Sequence, residues 1–335
     1  MTEREAQLRA FLGRTDWAGA ERAALAGDAS NRRYERLSDP ATRQGAILMD
    51  APPDTGEDVG PFIEIARFLR AAGLSAPDIL AQDRQAGFLI LEDLGDDLFA
   101  RVVAARPDLE VQLYETATDV LVALHRATPP ALAEYGPALM TELAALAFSK
   151  YRDRIRGAPD PAARSRFESR FVAILREITA QVPLVLIQRD YHAENLLWLP
   201  MRSGVARVGL LDFQDAMLGH PAYDLVSLLQ DARRDVPPAI ETAMRARYLA
   251  ASGHDPDAFA TAYAVLGAQR NLRILGVFAR LATERAKPHY LGLVPRVWAH
   301  LQRDLDHPAL APVAGLLRDA LPEPSPENLA ALHPA

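Results

Sequence analysis

The stretch from Val185 to Asp224 constrains this chain more than any other: VLIQRDYHAENLLWLPMRSGVARVGLLDFQDAMLGHPAYD. Two short β-rich runs, Leu184 to Ile187 and Val208 to Leu211, lead to acids, Asp190 after a brief turn and Asp212 directly. Between them Asn195 opens a third apolar run, Leu196 to Leu199. Strand ends that gather Asp, Asn and Asp in a small volume suit phosphoryl transfer, which asks a protein for positioning and charge neutralisation more than for covalent help. In that chemistry one carboxylate orients an attacking hydroxyl and takes its proton. An amide oxygen and a second carboxylate hold Mg²⁺ against the phosphates.

These residues carry a resemblance. Asp190-x-x-x-x-Asn195 looks like the D-x-x-x-x-N of the protein-kinase catalytic loop, and Asp212-Phe213 resembles the start of its D-F-G motif. The whole stretch is similar to the aminoglycoside phosphotransferase and choline kinase superfamily, which reads H-G-D-x-x-x-x-N, then I-D-[FW]-x-x-A, then G-x-P-x-x-D-L. Here Gln188-Arg189 stand where that family has His-Gly. The tracts Gly27 to Tyr34, Leu228 to Asp235 and Gln269 to Leu275 resemble one branch, the bacterial anomeric kinases of N-acetylmuramate and N-acetylglucosamine in cell-wall recycling.

The resemblance covers most of the chain and implies an α+β, bilobal, protein-kinase-like fold. It places a small antiparallel β-sheet lobe with a helix at 1–91, a hinge at 92–97, and a larger, mainly helical catalytic and sugar-binding lobe at 98–335. It also implies ATP and Mg²⁺, with Asp190 as the catalytic base, Asn195 and Asp212 as metal ligands, and Asp224 as a brace beneath the catalytic loop. The backbone of Glu92 to Leu94 would read the adenine edge. The product would be the sugar 1-phosphate of peptidoglycan recycling.

Composition narrows the surroundings. At 335 residues two lobes are expected. A net charge of −7 gives no global attraction for nucleic acid or an anionic membrane, so an anionic substrate needs a local patch. There is no cysteine, which removes disulfides, thiolate zinc sites and cysteine nucleophiles. The acidic first residues and the lack of a long apolar run point to a cytoplasmic protein. The histidines form no zinc pair, and no obligate protein partner is evident.

Read in order, residues 2–14 form an amphipathic helix with Leu8, Phe11 and Leu12 on one face. A hairpin follows, Ala23 to Gly27 and Tyr34 to Leu37. Its turn offers Ser30, Asn31 and Arg33 to nucleotide phosphates through small residues and side-chain donors. In the superfamily the next strand, here Ala46 to Met49, carries a phosphate-gripping lysine; this chain has Met49 and Asp50 there, and its only lysines are Lys150 and Lys287. An arginine such as Arg32 or Arg33 is the expected substitute, because phosphate accepts a guanidinium fork. Glu64, on the helix Pro61 to Ala72, reads as a solvated residue, and Asp96 and Asp97 as capping or solvated ones. Asp224, just ahead of a helical run, reads both as an N-cap and as the brace. From Leu98 onward long helices dominate. Their apolar stripes include Tyr114, Ala117, Val120, Leu121 and Leu124, and also Leu139, Leu143, Leu146 and Ala147.

The acceptor is argued from charge. Arg233, Arg234, Arg270 and Arg273 lie on the two arginine-rich tracts and are the candidate substrate-binding residues for a small amino sugar. Aminoglycosides are polycations and demand an acidic cleft, whereas N-acetylmuramate carries a carboxylate that a guanidinium pairs with. Asp215 and Asp231 either bind hydroxyls or neutralise these arginines. Two alternatives stand beside the sugar kinase: a kinase of another small molecule, aminoglycoside or choline-like, and a non-catalytic nucleotide-binding pseudokinase suggested by the missing lysine.

Overall fold

The computed structural model describes residues 2–25, 31–180 and 182–333. Its elements begin with α1 (Glu3–Leu12), β1 (Glu21–Ala24), β2 (Arg33–Ser38), β3 (Gly45–Asp50), α2 (Gly60–Ala71), β4 (Ile79–Asp83) and β5 (Phe88–Glu92). Next come α3 (Phe99–Ala105), α4 (Glu110–Arg126), α5 (Pro137–Ala144), α6 (Asp153–Arg156), α7 (Pro161–Thr179), β6 (Val185–Ile187), β7 (Leu196–Trp198), β8 (Val208–Leu210) and β9 (Met217–Gly219). The chain ends with α8 (Ala222–Leu229), α9 (Pro238–Ser252), α10 (Pro256–Glu284), α11 (Val294–Asp304), α12 (Ala311–Ala320) and α13 (Pro326–Ala330). This is the α+β architecture expected: a small antiparallel sheet, then mostly helix.

Contacts divide the chain into two compact units, Met1–Ala127 with Glu194–Ala216, and Thr128–Ala193 with Met217–Ala335. The first holds the five-stranded sheet, order β1-β2-β3-β5-β4. Its register is fixed by pairs such as Tyr34↔Met49, Arg33↔Asp50 and Met49↔Leu89. Side chains alternate across a strand, so the two faces differ. Leu37, Ala46, Leu48, Phe88 and Ile90 pack under Leu8, Phe11 and Leu12 of α1. Arg4 of α1 reaches over the Phe88 ring, 3.8 Å from its centre, and donates to Asp50. Tyr34 and Met49 lie on the opposite face.

This unit extends beyond the lobe 1–91 read from the sequence, because α3, α4 and the β7–β8 ribbon belong to it. Backbone bonds stitch the ribbon in: Leu210 N–H donates to the Ser75 carbonyl at 2.9 Å and Trp198 N–H to the Asp97 carbonyl at 2.7 Å. Gly209 lets the ribbon close, since a Cβ there would stand 3.0 Å from Leu197 Cβ and 3.1 Å from Leu94 Cδ1.

The second unit is helical around α10. Asp255 caps that helix by accepting the Ala258 N–H at 2.8 Å, with Pro256 in its first turn; Asp160 and Pro161 repeat the arrangement at α7. Gly276 of α10 lies directly against Leu146, where a Cβ would fall 2.7 Å from the Leu146 carbonyl oxygen. The stripe read through Leu139, Leu143 and Leu146 is out of phase. Those residues are half-buried, whereas Ala147, the fourth member of the stripe, is buried, as are Met140, Ala144, Phe148 and Tyr151; a π-helical turn follows over Ala147–Arg152. Sheet β6–β9 also lies here, pairing Val185 with Gly219 and Ile187 with Met217.

Candidate active site

In the first unit β7 and β8 run antiparallel, and the bond from Leu211 N–H to the Asn195 carbonyl, 3.0 Å, extends the ladder to the residue before Asp212. Asn195 Nδ2 donates to Asp212 Oδ2 at 3.5 Å, and Gln214 Nε2 donates to Asp212 Oδ1 at 2.6 Å. Asp212 has φ +56°, a left-handed conformation that costs a non-glycine residue about 1–2 kcal/mol and recurs at functional sites. The next side chain holds it there. Phe213 is fully buried, its ring 4.8 Å from that of Phe62 on α2.

These residues fit a divalent cation. Mg²⁺ takes oxygen ligands, few from protein and several from phosphates and water. One carboxylate and one amide here face each other, and turning the Asn195 amide about its last bond presents its oxygen. Among the described residues no group of three or more His, Asp and Glu side chains converges into an all-protein cage.

The sheet register separates the two arginines. Arg33 is exposed and shares a face with Asp50 through the register, on the side of the sheet that α1 covers. Arg32, on the opposite parity, bonds Tyr34 and donates from Nε to Glu57 Oε2 at 2.8 Å. Tyr34 in turn senses Asp212: burial pushes its hydroxyl above the ordinary range, Arg32 opposes this and the Asp212 charge adds to it. The structure thus sets Arg32, not Arg33, on the Asp212 side. Asn31 is exposed, its N–H 3.3 Å from Glu57 Oε1. Ser30 lies outside the described residues.

Glu92 ends β5 with its carboxylate bound to Arg202 at 2.5 Å, so only its backbone is available for recognition. Leu94 packs on Gly209. Asp96 is exposed, in keeping with the solvated reading, and pairs with Arg36 at 2.8 Å, which also grips Asp93 at 2.7 Å and lowers the Asp96 carboxyl. Glu64 is exposed and bonds Arg84 at 3.1 Å.

In the second unit Asp190 follows β6. The N-cap reading of Asp224 fails, because α8 begins at Ala222 and Asp224 is its third residue. Asp224, fully buried, accepts Gln188 N–H at 2.6 Å and Arg189 N–H at 2.9 Å, two residues at the start of the Asp190 loop. Arg189 has φ +73°, which glycine adopts freely and an L side chain does not, and its guanidinium lies 5.3 Å from the centre of the Tyr135 ring.

Arg273 Nη2 lies 3.9 Å from Asp190 Oδ2, and its Nη1 donates to the Tyr223 hydroxyl at 3.3 Å. Tyr223 meets the Tyr135 hydroxyl at 3.4 Å, which accepts from Gln269 Nε2 at 3.2 Å. Burial alone would raise the Asp190 carboxyl; Arg273, then His192, Arg270 and Arg189, outweigh it and hold Asp190 below the usual carboxylate range. Arg233 Nη1 donates to His192 Nε2 at 3.1 Å, which fixes that ring nitrogen as the acceptor. Burial lowers His192 to about 4. Arg270 is buried and donates to the Gln230 carbonyl at 3.3 Å, while Arg234 sits by the Asp235–Arg296 ion pair. The tracts 228–235 and 269–275, far apart in sequence, therefore meet around Asp190.

A model of the phosphotransferase enzyme family matches residues 21–265. The chain belongs to that family. Among this phosphotransferase's relatives is a Caulobacter vibrioides protein named N-acetylmuramate/N-acetylglucosamine kinase, 43% identical over 92% of this chain and 94% of its own. A Pseudomonas aeruginosa protein of the same name is 34% identical over 89% of this chain and 88% of its own. Among solved structures, a choline/ethanolamine kinase family protein from Mesorhizobium loti superposes with TM-score 0.61 at 16% identity, covering 94% of this chain and 99% of that one. An ADP-bound aminoglycoside phosphotransferase superposes with TM-score 0.60 at 15% identity, covering 90% and 99%. These two share the fold. Sequence reasoning missed Tyr34, Gln214, His192 and Tyr223 in this phosphotransferase; of these only Tyr34 carried a signal, its parity on the strand.

Proposed function

We propose that this phosphotransferase is an ATP-dependent kinase that places phosphate on the anomeric hydroxyl of N-acetylmuramate and N-acetylglucosamine, a cytoplasmic step of peptidoglycan recycling. The observation that carries this reading is the setting of Asp190, flanked by Arg273 and sensing Arg270. Such a surround repels a polycation or a quaternary ammonium and welcomes a neutral sugar or one bearing a carboxylate. The names of the relatives agree with it.

In this reading Asp190 orients the anomeric hydroxyl and accepts its proton. That hydroxyl is more acidic than an ordinary alcohol, so a carboxylate held low in pKa is base enough. Asn195 and Asp212 would hold Mg²⁺, which supplies charge neutralisation at the phosphate oxygens. Arg32 takes the place of the strand lysine and pairs with phosphate through its fork. The backbone of Glu92 to Leu94, in the hinge 92–97, reads the adenine edge, and Arg233 and Arg273 face the sugar.

The test is ATP consumption by the purified protein with N-acetylmuramate, N-acetylglucosamine, choline and kanamycin. Turnover with the two sugars and none with the cations is expected. Turnover with choline or kanamycin alone removes the sugar assignment.

A further inference from the structure

Among the buried polar atoms of the second unit with no protein hydrogen-bond partner are Arg270 Nε and Asp231 Oδ2, beside the acceptor site. Their residues are 2% and 1% exposed. Native proteins pair nearly all such atoms, so an exception asks what pairs it. The two groups attract each other, and Arg270 also attracts Asp190. One further polar atom of each is engaged. Asp231 Oδ1 accepts the Arg233 N–H at 2.8 Å, and Arg270 Nη1 donates to the Gln230 carbonyl. The Gln230 side chain is itself clamped, donating to Asp304 Oδ1 at 2.9 Å and accepting from Asn271 Nδ2 at 2.8 Å. Gly267 makes room for that clamp, since a Cβ there would stand 2.9 Å from Gln230 Nε2. A donor and an acceptor thus lie within electrostatic reach of each other, and the donor's residue within reach of the candidate base.

We propose that Asp231 and Arg270 form the pair that reads the sugar's 2-acetamido group, Asp231 Oδ2 accepting its N–H and Arg270 Nε donating to its carbonyl oxygen. This rests on the sugar-kinase reading and deepens it. A secondary amide offers one donor and one acceptor, the complement of the two protein atoms. The group is also in the right place. It is borne on the carbon next to the anomeric one, so a sugar whose anomeric hydroxyl meets Asp190 turns its acetamido group toward the residues flanking Asp190. A 2-hydroxyl offers its donor and its acceptor on one oxygen and lacks the span of the amide's N–H and carbonyl, and a 2-ammonium pairs with Asp231 but leaves Arg270 Nε with no acceptor. Sites built to hydrogen-bond a substrate group reject analogues that lack it. Such a pair selects both N-acetyl sugars over glucose and glucosamine.

The experiment compares kcat/KM for N-acetylglucosamine, glucosamine and glucose on the wild type and on Asp231→Asn. The Arg233 N–H keeps an oxygen at the Oδ1 position, so the new NH₂ stands where Oδ2 stood and an acceptor becomes a donor. The wild type is expected to prefer N-acetylglucosamine over glucose by at least about 10²-fold, and Asp231→Asn to shrink that ratio at least tenfold, mainly through KM. An unchanged ratio overturns the pair. A second measurement needs no variant: calorimetric binding to the wild type of N-acetylglucosamine and its N-methyl analogue, which lacks the amide N–H. At least a tenfold rise in Kd is expected for the analogue, and equal Kd values overturn the pair. Turnover without 2-acetamido selectivity removes this inference alone, whereas neither binding nor turnover with any of these sugars removes the sugar-kinase reading as well.

Discussion

Replacing Asp224 with Asn tests how the loop carrying Asp190 is held. The carboxyl accepts two backbone N–H groups, from Gln188 at 2.6 Å and Arg189 at 2.9 Å, and is shut off from solvent. An amide keeps one acceptor oxygen and turns a lone-pair-free NH₂ toward the other N–H. A buried donor left unsatisfied costs about 1–3 kcal/mol. The Arg189 bond also helps hold φ at +73°, a conformation worth about 1–2 kcal/mol of strain. Loss of that bond lets the residue before Asp190 relax, and a displacement of ~1 Å at a reacting group lowers turnover by about 10²-fold.

The pH dependence supplies a second signature. Burial pushes Asp224 from its ordinary 3.8 to about 7, against the pull of the two N–H groups. Between those values the folded state keeps a proton that the unfolded state has lost. Its contribution to stability is therefore fully present below pH 3.8 and is lost as pH rises through about 7. At about 1.36 kcal/mol per pKa unit the gap corresponds to roughly 4 kcal/mol. Asn does not titrate. Urea unfolding at several pH values, with kcat at each, should show a variant destabilised at pH 5 and a deficit that shrinks by pH 8. Wild-type turnover together with a deficit that grows with pH would refute the reasoning.

Other changes probe other parts. Asp190→Asn should lower kcat by about 10² to 10⁴ while leaving the urea midpoint near wild type; undiminished turnover removes Asp190 as the base. Arg32→Met should weaken ATP binding in the presence of Mg²⁺ by roughly 10- to 100-fold in calorimetry, the worth of a charge-assisted bond, with partial recovery in Arg32→Lys. Unchanged affinity returns the lysine's role to another group. Gly276→Ala drives a methyl into the Leu146 backbone and should destabilise the protein by about 1–3 kcal/mol or more, read as a lowered urea midpoint; a wild-type midpoint contradicts the close helix crossing.

Much of this was legible in the sequence. The β-rich runs, the α2 stripe and the Asp-Pro starts of α7 and α10 are local signals, and the fold they imply is the one observed. The motif acids were legible because their spacing belongs to a known family. What the sequence hid depended on register and phase. Arg32 and Arg33 are neighbours in the chain, and only the pairing Tyr34↔Met49 sends them to opposite faces. On α5 the face that packs is the one carrying Met140 and Ala144, not Leu139 and Leu143, and the hydrophobic pattern fits either phase. Asp224 looked like a cap because it precedes an apolar run, yet its bonds reach back to Gln188 and Arg189, which no local pattern reports.

The central claim is that this phosphotransferase moves the terminal phosphoryl of ATP onto an anomeric oxygen. The direct measurement is NMR of the product formed from N-acetylmuramate, ATP and Mg²⁺, read through phosphorus coupling to the sugar protons. The account predicts coupling to the anomeric proton, the mark of a sugar 1-phosphate. Phosphate on another hydroxyl, or no sugar phosphate at all from the folded protein, would contradict it.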